Sequence, residues 1–263
     1  MPATDLALLV DAARAAGRIA LTFFGNDPDV VDKPAGAGPV TEADIAVDRM
    51  LHEALGSARP DYGWLSEETE DSGARLHTAR QFVIDPIDGT RAFIEGSRDW
   101  AHSLAVVEDG HVVAAAVYLP VRDLMFAATR GGGATVNDMP ALATMADLDG
   151  ATILGAKPNF LGEHWQNGVV PPIRRAFRSS LAYRLCLVAQ GRFDGMMTLR
   201  PSWEWDIAAG ALIAAEAGAV VTDPAGQPLR FNNPMPQVPG VLAAGPVVHA
   251  GLSARLEPPR PKA

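Results

Sequence analysis

The 263-residue chain contains a single cysteine, Cys186, which lies between apolar neighbours in "YRLCLVAQG". One thiol cannot close an internal disulfide, so we expect a reducing compartment and a buried structural side chain. The sequence also lacks a cluster of histidines and cysteines, so nothing indicates a zinc site. These absences argue against a disulfide-stapled domain and against a zinc protein.

Long hydrophobic runs are missing too. Charged residues interrupt the apolar N-terminal stretch at Asp5, Asp11, Arg14 and Arg18, and no basic segment precedes it, so we do not expect a signal peptide. The helical period of its apolar residues predicts an amphipathic helix instead. No run approaches the roughly 20 apolar residues of a membrane span, so we expect a cytoplasmic protein without membrane contact.

Positive charge is in deficit. The chain has 22 Lys and Arg against 31 Asp and Glu, a formal net charge of −9. Phosphate polymers and anionic membranes would be repelled, so we expect no nucleic-acid partner. A small phosphorylated ligand remains compatible with this charge if metal ions stand between it and the carboxylates.

The order of predicted elements indicates an α/β layered fold. β-type runs from Trp100 onward, separated by turns, predict an antiparallel meander, whereas strands and helices alternate after about residue 151. We therefore expect two halves, an α+β half at residues 1–147 with an antiparallel sheet and a smaller mixed α/β half at residues 148–263. The final "EPPRPKA" is expected to be disordered.

Acidic residues follow several predicted strands. Glu67 and Glu68 end "WLSEE", Asp85 and Asp88 end "FVIDPID", and Asp206 opens the helix of "WDIAAG". Each has an ordinary alternative: a solvated loop acid, a turn, or in the case of Asp206 an N-cap.

As a set, these acids are harder to explain by such alternatives. Clustered carboxylates repel one another unless a cation neutralises them, and oxygen ligands favour Mg²⁺, Mn²⁺ or Ca²⁺. Gly89 and Thr90 follow at a helix start, where their amides could hold an anion. The residues thus predict metal-dependent phosphate chemistry.

Four motifs, in order along most of the chain, resemble the inositol monophosphatase superfamily of metal-dependent phosphomonoesterases. They are "VTEAD" at residues 40–44 with Lys33 upstream, "LSEE" at 65–68, "DPIDGT" at 85–90 and "WDIAAG" at 205–210. The chain departs from the usual residues of these family motifs at Gly38-Pro39, Ala43 and Ser66, but none of these differences removes a metal ligand. The resemblance implies a layered α-β-α-β-α sandwich and a Mg²⁺-dependent phosphatase sensitive to lithium.

The resemblance also implies roles for individual residues. Two to three Mg²⁺ ions, or Mn²⁺ as a substitute, would be held by a set in which Asp85 bridges two ions and Glu67 serves a weaker third: Glu67, Asp85, the Ile87 carbonyl, Asp88 and Asp206. Asp44 and Thr90 would orient and deprotonate the attacking water. Glu67 would also be a catalytic residue, because it would hold metal ions that take part in the reaction. The amides of Gly89 and Thr90 would cradle the phosphate, and Asp206 would contact the substrate as well as the metal.

The substrate is less well defined by the sequence. Inositol enzymes carry a Glu seven residues before the Asp of "WD", where this chain has Leu199, followed by Arg200. Ser66 before the acid pair and Arg184 within "SLAYRLCLVAQG" are more similar to bacterial 3'(2'),5'-bisphosphate nucleotidases. Arg184, Arg200 and Arg91 are therefore candidates for a second phosphate, with ordinary surface charge as the alternative.

We rank 3'-phosphoadenosine 5'-phosphate first, inositol monophosphate second and histidinol phosphate third, since "DPIDGTRAFIEG" is also similar to histidinol-phosphatases. A homodimer is implied by the resemblance. The alternative from another class is a non-catalytic regulatory member that works through protein or RNA contacts. Full retention of the cellular phenotype in Asp88→Asn would favour it.

Overall fold

The computed structural model describes residues 3–26, 29–33 and 38–257. Helices in these ranges are α1 Asp5–Phe23, α2 Glu42–Ala58, α3 Thr90–Ile94, α4 Leu181–Ala189, α5 Glu204–Glu216 and α6 Pro246–Ser253. Strands in the first part are β1 Val30–Asp32, β2 Pro39–Thr41, β3 Gly63–Ser66, β4 Arg80–Asp88, β5 Ala101–Glu108, β6 His111–Leu119, β7 Leu124–Thr129, β8 Ala134–Val136 and β9 Met139–Pro140. Those that follow are β10 Thr152–Leu154, β11 Arg174–Ala176, β12 Gly195–Thr198, β13 Ser202–Trp203, β14 Val220–Thr222, β15 Gln237–Val238 and β16 Val241–Ala244.

The larger sheet has seven strands in chain order from β3 to β9. From β4 onward every neighbouring pair is antiparallel, which confirms the predicted meander. β3 differs, because it pairs with β4 in parallel. The segment between β3 and β4 returns the chain to its starting end, so both strands point their carboxyl ends the same way.

The smaller sheet has five strands in the order β11-β10-β12-β16-β14. β10 is parallel to both β11 and β12, whereas β16 is antiparallel to β12 and β14. This mixed sheet agrees with the predicted alternation of strands and helices after residue 151. The boundary between halves near residue 148 stays a prediction.

The core is divided into layers. One cluster joins α1 and α2 to one face of the large sheet, and a second joins the other face to α4, α5 and the inner face of the small sheet. A third cluster packs α6 on the outer face of the small sheet, where Leu252 is fully buried. The order is α, β, α, β, α, as expected. Cys186 lies buried in the second cluster, as predicted.

Helix starts follow local capping chemistry. Thr41 is the N-cap of α2 and forms a reciprocal capping box with Asp44. α5 begins at Glu204 with Trp203 as its N-cap, so Asp206 is the third helical residue. The alternative that Asp206 is an N-cap is therefore wrong, and its carboxylate is left for other partners.

In the described part of the chain, no helix combines the length and the apolar character needed to cross a bilayer. Residues 258–263 of the C-terminal segment expected to be disordered lie outside the described residues.

Candidate metal centre and active site

Glu67 lies next to Asp85 because β3 and β4 are parallel. Ser66 is opposite Ile84 at the end of β3, and the Glu67 amide donates to the Ile84 carbonyl at 3.2 Å, which extends the pairing by one residue. Neighbouring parallel strands that end at the same edge deliver their following residues to the same place. This register accounts for the meeting of two acids that are 18 positions apart in the sequence.

Asp206 is brought to the same place by β5. Ser103 is opposite Asp85 in the β4–β5 ladder, and its Oγ donates to the Trp205 carbonyl at 2.8 Å. Carboxylate oxygens of Glu67, Asp85 and Asp206 all lie within 4.8 Å of one another. We call these three residues the acidic cluster.

Within the acidic cluster, few groups offset the negative charges of the carboxylates. Asp85 is 1% exposed, and its Oδ1 has no hydrogen-bond partner among the described residues. Burial, and then the charges of Glu67, Asp88 and Asp206, raise the pKa of Asp85 well above its usual range. Burial and the charges of Asp88 and Glu67 do the same to the pKa of Asp206. Such a group needs protons or a cation to be stable.

Asp88 lies beside the cluster and is anchored to the start of α4. Its Oδ2 accepts hydrogen bonds from the Ser180 hydroxyl and the Ala182 amide, both at 2.6 Å. Burial raises the pKa of Asp88 to about 6, although these hydrogen bonds oppose the rise. The anchoring leaves Oδ1 for another partner.

Asp44 and Thr90 form a hydrogen-bonded pair. The Thr90 hydroxyl lies 3.3 Å from Oδ1 of Asp44 and 3.2 Å from the Ile87 carbonyl. Oδ2 of Asp44 accepts from the amide and the hydroxyl of Thr41. Burial raises the pKa of Asp44 to about 6, against the effect of those hydrogen bonds.

Gly89 connects Asp88 to Thr90 with a backbone that favours glycine. Its φ is +103°, and an added Cβ would lie 3.3 Å from the Asp99 carbonyl oxygen. The backbone path from Asp88 to Thr90 therefore depends on this glycine.

Lys33 supplies a positive charge at the edge of the acidic cluster. Its Nζ contacts Oε1 of Glu67 at 2.8 Å and Oε1 of Glu68 at 2.7 Å. Burial raises the pKa of Glu68 to about 7, which Lys33 opposes and Glu67 reinforces. Glu68, with no role in the predicted set, thus serves to hold Lys33.

These residues line a cleft of about 790 Å³. The predicted residues that line it are Glu67, Asp85, Asp88, Gly89, Thr90, Arg91, Arg184, Arg200 and Asp206. Asp44 and Ile87 are not among the lining residues; Asp44 reaches the cleft wall through Thr90. Most of the predicted site residues therefore lie in one cleft.

The arginine group comprises Arg91, Arg184 and Arg200. Arg91 and Arg200 are exposed, whereas Arg184 is 6% exposed and its guanidinium lies 4.4 Å from the ring centroid of Phe177. Nε and Nη2 of Arg184 donate to the carbonyls of Arg178 and Ser179. Burial lowers the pKa of Arg184 to about 10, so it stays charged at neutral pH.

The groups that hold the acids were not predicted from the sequence; they are Ser180, Ala182, His102 and Ser103. Serine before the apolar run of α4 is a visible N-cap signal, and Ser180 does accept from the Tyr183 amide. Its contact with Asp88, 92 positions away, has no local signal.

The donor set fits a hard divalent cation. All of the acidic cluster's ligand atoms are carboxylate oxygens, and Oδ1 of Asp85 is buried without a partner. The cluster therefore has the chemistry of a metal site with oxygen ligands.

The profile of the inositol monophosphatase family matches residues 2–258. The chain belongs to the inositol monophosphatase family. Family members are metal-dependent phosphatases that hydrolyse phosphomonoesters, which makes this chain an enzyme of that class.

Its relatives have different names. An inositol-1-monophosphatase of Rhizobium meliloti (strain 1021) is 36% identical over 87% of this chain and 89% of its own length. A 3'(2'),5'-bisphosphate nucleotidase, CysQ, of Escherichia coli (strain K12) is 33% identical over 84% of this chain and 91% of its own.

The crystal structure of the extragenic suppressor protein suhB of Bartonella henselae superposes with a TM-score of 0.80. The two chains are 29% identical, and the match covers 94% of this chain and 96% of the other. These names leave the substrate within the family undetermined.

Proposed function

We propose that this protein is a Mg²⁺-dependent phosphomonoesterase that acts on a small phosphorylated metabolite with a second anionic group. The observation that carries the proposal is the presence of the acidic cluster and the arginine group in the same cleft. The first favours a hard cation and the second a ligand with more negative charge than one phosphoryl group. The best candidate is a 3'(2'),5'-bisphosphate nucleotide such as 3'-phosphoadenosine 5'-phosphate.

Five groups would hold the ions: Glu67, Asp85, the Ile87 carbonyl, Asp88 and Asp206. When bound, Mg²⁺ supplies Lewis-acid charge to the phosphoryl oxygens and increases the acidity of water. Asp88 has Oδ1 outside its contacts with Ser180 and Ala182, so it can contribute that oxygen. Lys33 would keep Glu67 and Glu68 in place at the rim of the site.

Asp44 and Thr90 would handle the proton of the attacking water. Thr90 has one hydroxyl proton, so it can donate to Asp44 or to Ile87 but not to both, and its lone pair can accept from water. Asp44, with a pKa raised to about 6, is a suitable final acceptor near neutral pH. Its fixed contacts with Thr41 hold the carboxylate toward Thr90.

The phosphate would be cradled by the amides of Gly89 and Thr90. α3 has only five residues, so the individual N–H groups matter more than a helix dipole. The positive φ of Gly89 sets the direction of this turn.

Arg184 is the best candidate for the second phosphate. Two carbonyls and the Phe177 ring fix its guanidinium, and Nη1 takes no part in those two hydrogen bonds. A pre-positioned guanidinium loses less side-chain entropy on binding an anion than a mobile one. Arg200 and Arg91, which are exposed, would add weaker contacts.

Inositol 1-phosphate is the second candidate. The 36% identity to the Rhizobium meliloti inositol-1-monophosphatase favours it. Leu199 opposes it, because this apolar side chain lines the cleft and gives ring hydroxyls no hydrogen-bond partner. Histidinol phosphate is third.

A phosphate-release panel of the three compounds, with and without Mg²⁺, tests the proposal. We expect Mg²⁺-dependent release, with kcat/KM highest for the bisphosphate nucleotide. Equal or higher kcat/KM for inositol 1-phosphate would reverse the ranking. Absence of release from all three by metal-loaded protein would reject the proposed substrates. Inhibition by lithium and a homodimer in solution are further expectations, checked in the same assay and by light scattering.

A further inference from the structure

β4 contains an irregularity at the point where it delivers its two acids. Asp85 is opposite Ser103 and Asp88 is opposite Ala101, so three steps along β4 match two steps along β5. Such a bulge leaves backbone groups without ladder partners. His102 is the residue of β5 that lies across from this bulge.

The side chain of His102 gives a backbone carbonyl in the bulge a hydrogen-bond partner. Its Nδ1 hydrogen-bonds with the Pro86 carbonyl, and the ring is fully buried. A carbonyl can only accept, so Nδ1 must carry the proton. Burial lowers the pKa of His102 to about 4, so near neutral pH the ring is neutral and has a single N–H, on Nδ1. Nε2 has no partner within the described residues.

Ser103, the next residue, makes the corresponding contact on the other face of the sheet. Its Oγ donates to the Trp205 carbonyl at 2.8 Å, directly before Asp206. Successive strand residues point to opposite faces. β5 therefore contacts two segments of the metal site through successive side chains. His102 contacts the end of β4 that carries Asp85 and Asp88, which we call the β4 arm. Ser103 contacts the start of α5 that carries Asp206, which we call the α5 arm.

These uncharged contacts act against a repulsion. Oxygens of Glu67, Asp85 and Asp206 lie within 4.8 Å of one another, and their negative charges favour separation of the arms. Contacts with neutral donors can resist this without adding charge that would compete with a cation.

We propose that His102 and Ser103 are positioning residues that fix the separation between the β4 arm and the α5 arm of the metal site. The proposal rests on the proposed metal-dependent function. Neither residue lines the cleft, so neither is expected to touch substrate.

Two matched pairs of variants test this. His102→Leu removes the donor, whereas His102→Asn keeps an N–H near the position of Nδ1; Ser103→Ala removes the hydroxyl, whereas Ser103→Thr keeps it. Titration of ion-free protein with MgCl₂ or MnCl₂ in a calorimeter measures the affinity directly. We expect Kd to rise about tenfold in His102→Leu and in Ser103→Ala, and to stay within about threefold in His102→Asn and Ser103→Thr.

Activity gives a second measurement. In the Leu and Ala variants we expect the Mg²⁺ concentration for half-maximal rate to increase with Kd, while kcat at saturating Mg²⁺ recovers to within about threefold of wild type. Leu252→Ala, in the core under α6, serves as a control that lowers thermal stability without changing Kd. An unchanged Kd in both His102→Leu and Ser103→Ala, or an equal rise in Leu252→Ala, would overturn the proposal.

The tautomer of His102 is an independent test that needs no variant. Ring ¹⁵N shifts of the ion-free wild-type protein should show the Nδ1–H form, and a dominant Nε2–H form would contradict the inference. Failure of the wild-type protein to bind Mg²⁺ or Mn²⁺ would instead reject the proposed function, so the two failures are distinguishable.

Discussion

The acidic cluster and the arginine group line one cleft, yet they are built differently. Asp85 is almost fully buried on β4, which has a neighbouring strand on each side, and the elements that deliver Glu67 and Asp206 are fixed by ladder and side-chain hydrogen bonds. Arg91 and Arg200 are exposed, and only Arg184 is buried and held. A fixed site suits chemistry that is shared across a family, whereas a surface of exposed side chains suits specificity that differs among relatives.

The electrostatics differ as well. Burial and mutual repulsion raise the pKa values of Asp85 and Asp206, so the acidic cluster stores unfavourable energy that a cation releases. Burial lowers the pKa of Arg184 only to about 10, so its charge remains available for an anion at neutral pH. Four experiments test this difference between the acidic cluster and the arginine group.

The largest effect should come from Asp85→Asn. We expect kcat/KM with Mg²⁺ to fall on the order of 10³-fold, because an almost fully buried carboxylate of the acidic cluster is lost. The ion-free protein should at the same time melt at a higher temperature, since one of three repelling charges is gone. Steady-state kinetics and calorimetry measure the two effects. Asp71→Asn, an acid paired with Arg75, is the control and should leave kcat/KM unchanged.

Thr90→Ala should lower kcat about 100-fold, because the attacking water loses its link to Asp44. Thr90→Ser keeps the hydroxyl and should retain most of the rate. Comparable losses in both variants would show that the methyl group, and thus packing, matters rather than the hydroxyl. Single-turnover rates at saturating Mg²⁺ separate this effect from metal binding.

Arg184→Met should raise KM for a bisphosphate nucleotide about tenfold and leave KM for a monophosphate within about twofold. The arginine's contribution depends on a second anion, so the contrast between the two substrates is the measurement. Arg230→Met, outside the cleft, is the matched control. An equal KM increase for both substrates would assign Arg184 to the scissile phosphate instead.

The smallest effect concerns stability and pH. The folded-state pKa values of Asp44 and Asp88 are raised to about 6, above the ordinary value of about 4, so their protonated forms favour folding. This stabilisation is complete below about pH 4 and is lost as pH rises through 6. Mg²⁺ should therefore raise Tm by a few °C more at pH 8 than at pH 5. Thermal melts of wild type and Asp88→Asn check this, and an equal Mg²⁺ effect at both pH values would contradict it.

Local sequence patterns were enough to predict the main elements and the chemical class of this protein. Capping of α2 by Thr41, the glycine turn after Asp88 and the meander all depend on neighbouring residues, so local patterns predict them. The four motifs likewise carry the metal-type acids in short segments.

The way in which those segments meet depends on the tertiary structure. The parallel pairing of β3 with β4 puts Glu67 beside Asp85, and Ser103 holds Trp205, 102 positions away. Ser180 was visible as a helix cap, but its second role in holding Asp88 was not. Hydrogen bonds between distant segments depend on strand order and layer packing, which no short stretch of sequence contains. That is why the acids could be predicted from the sequence, whereas the groups that hold them could not.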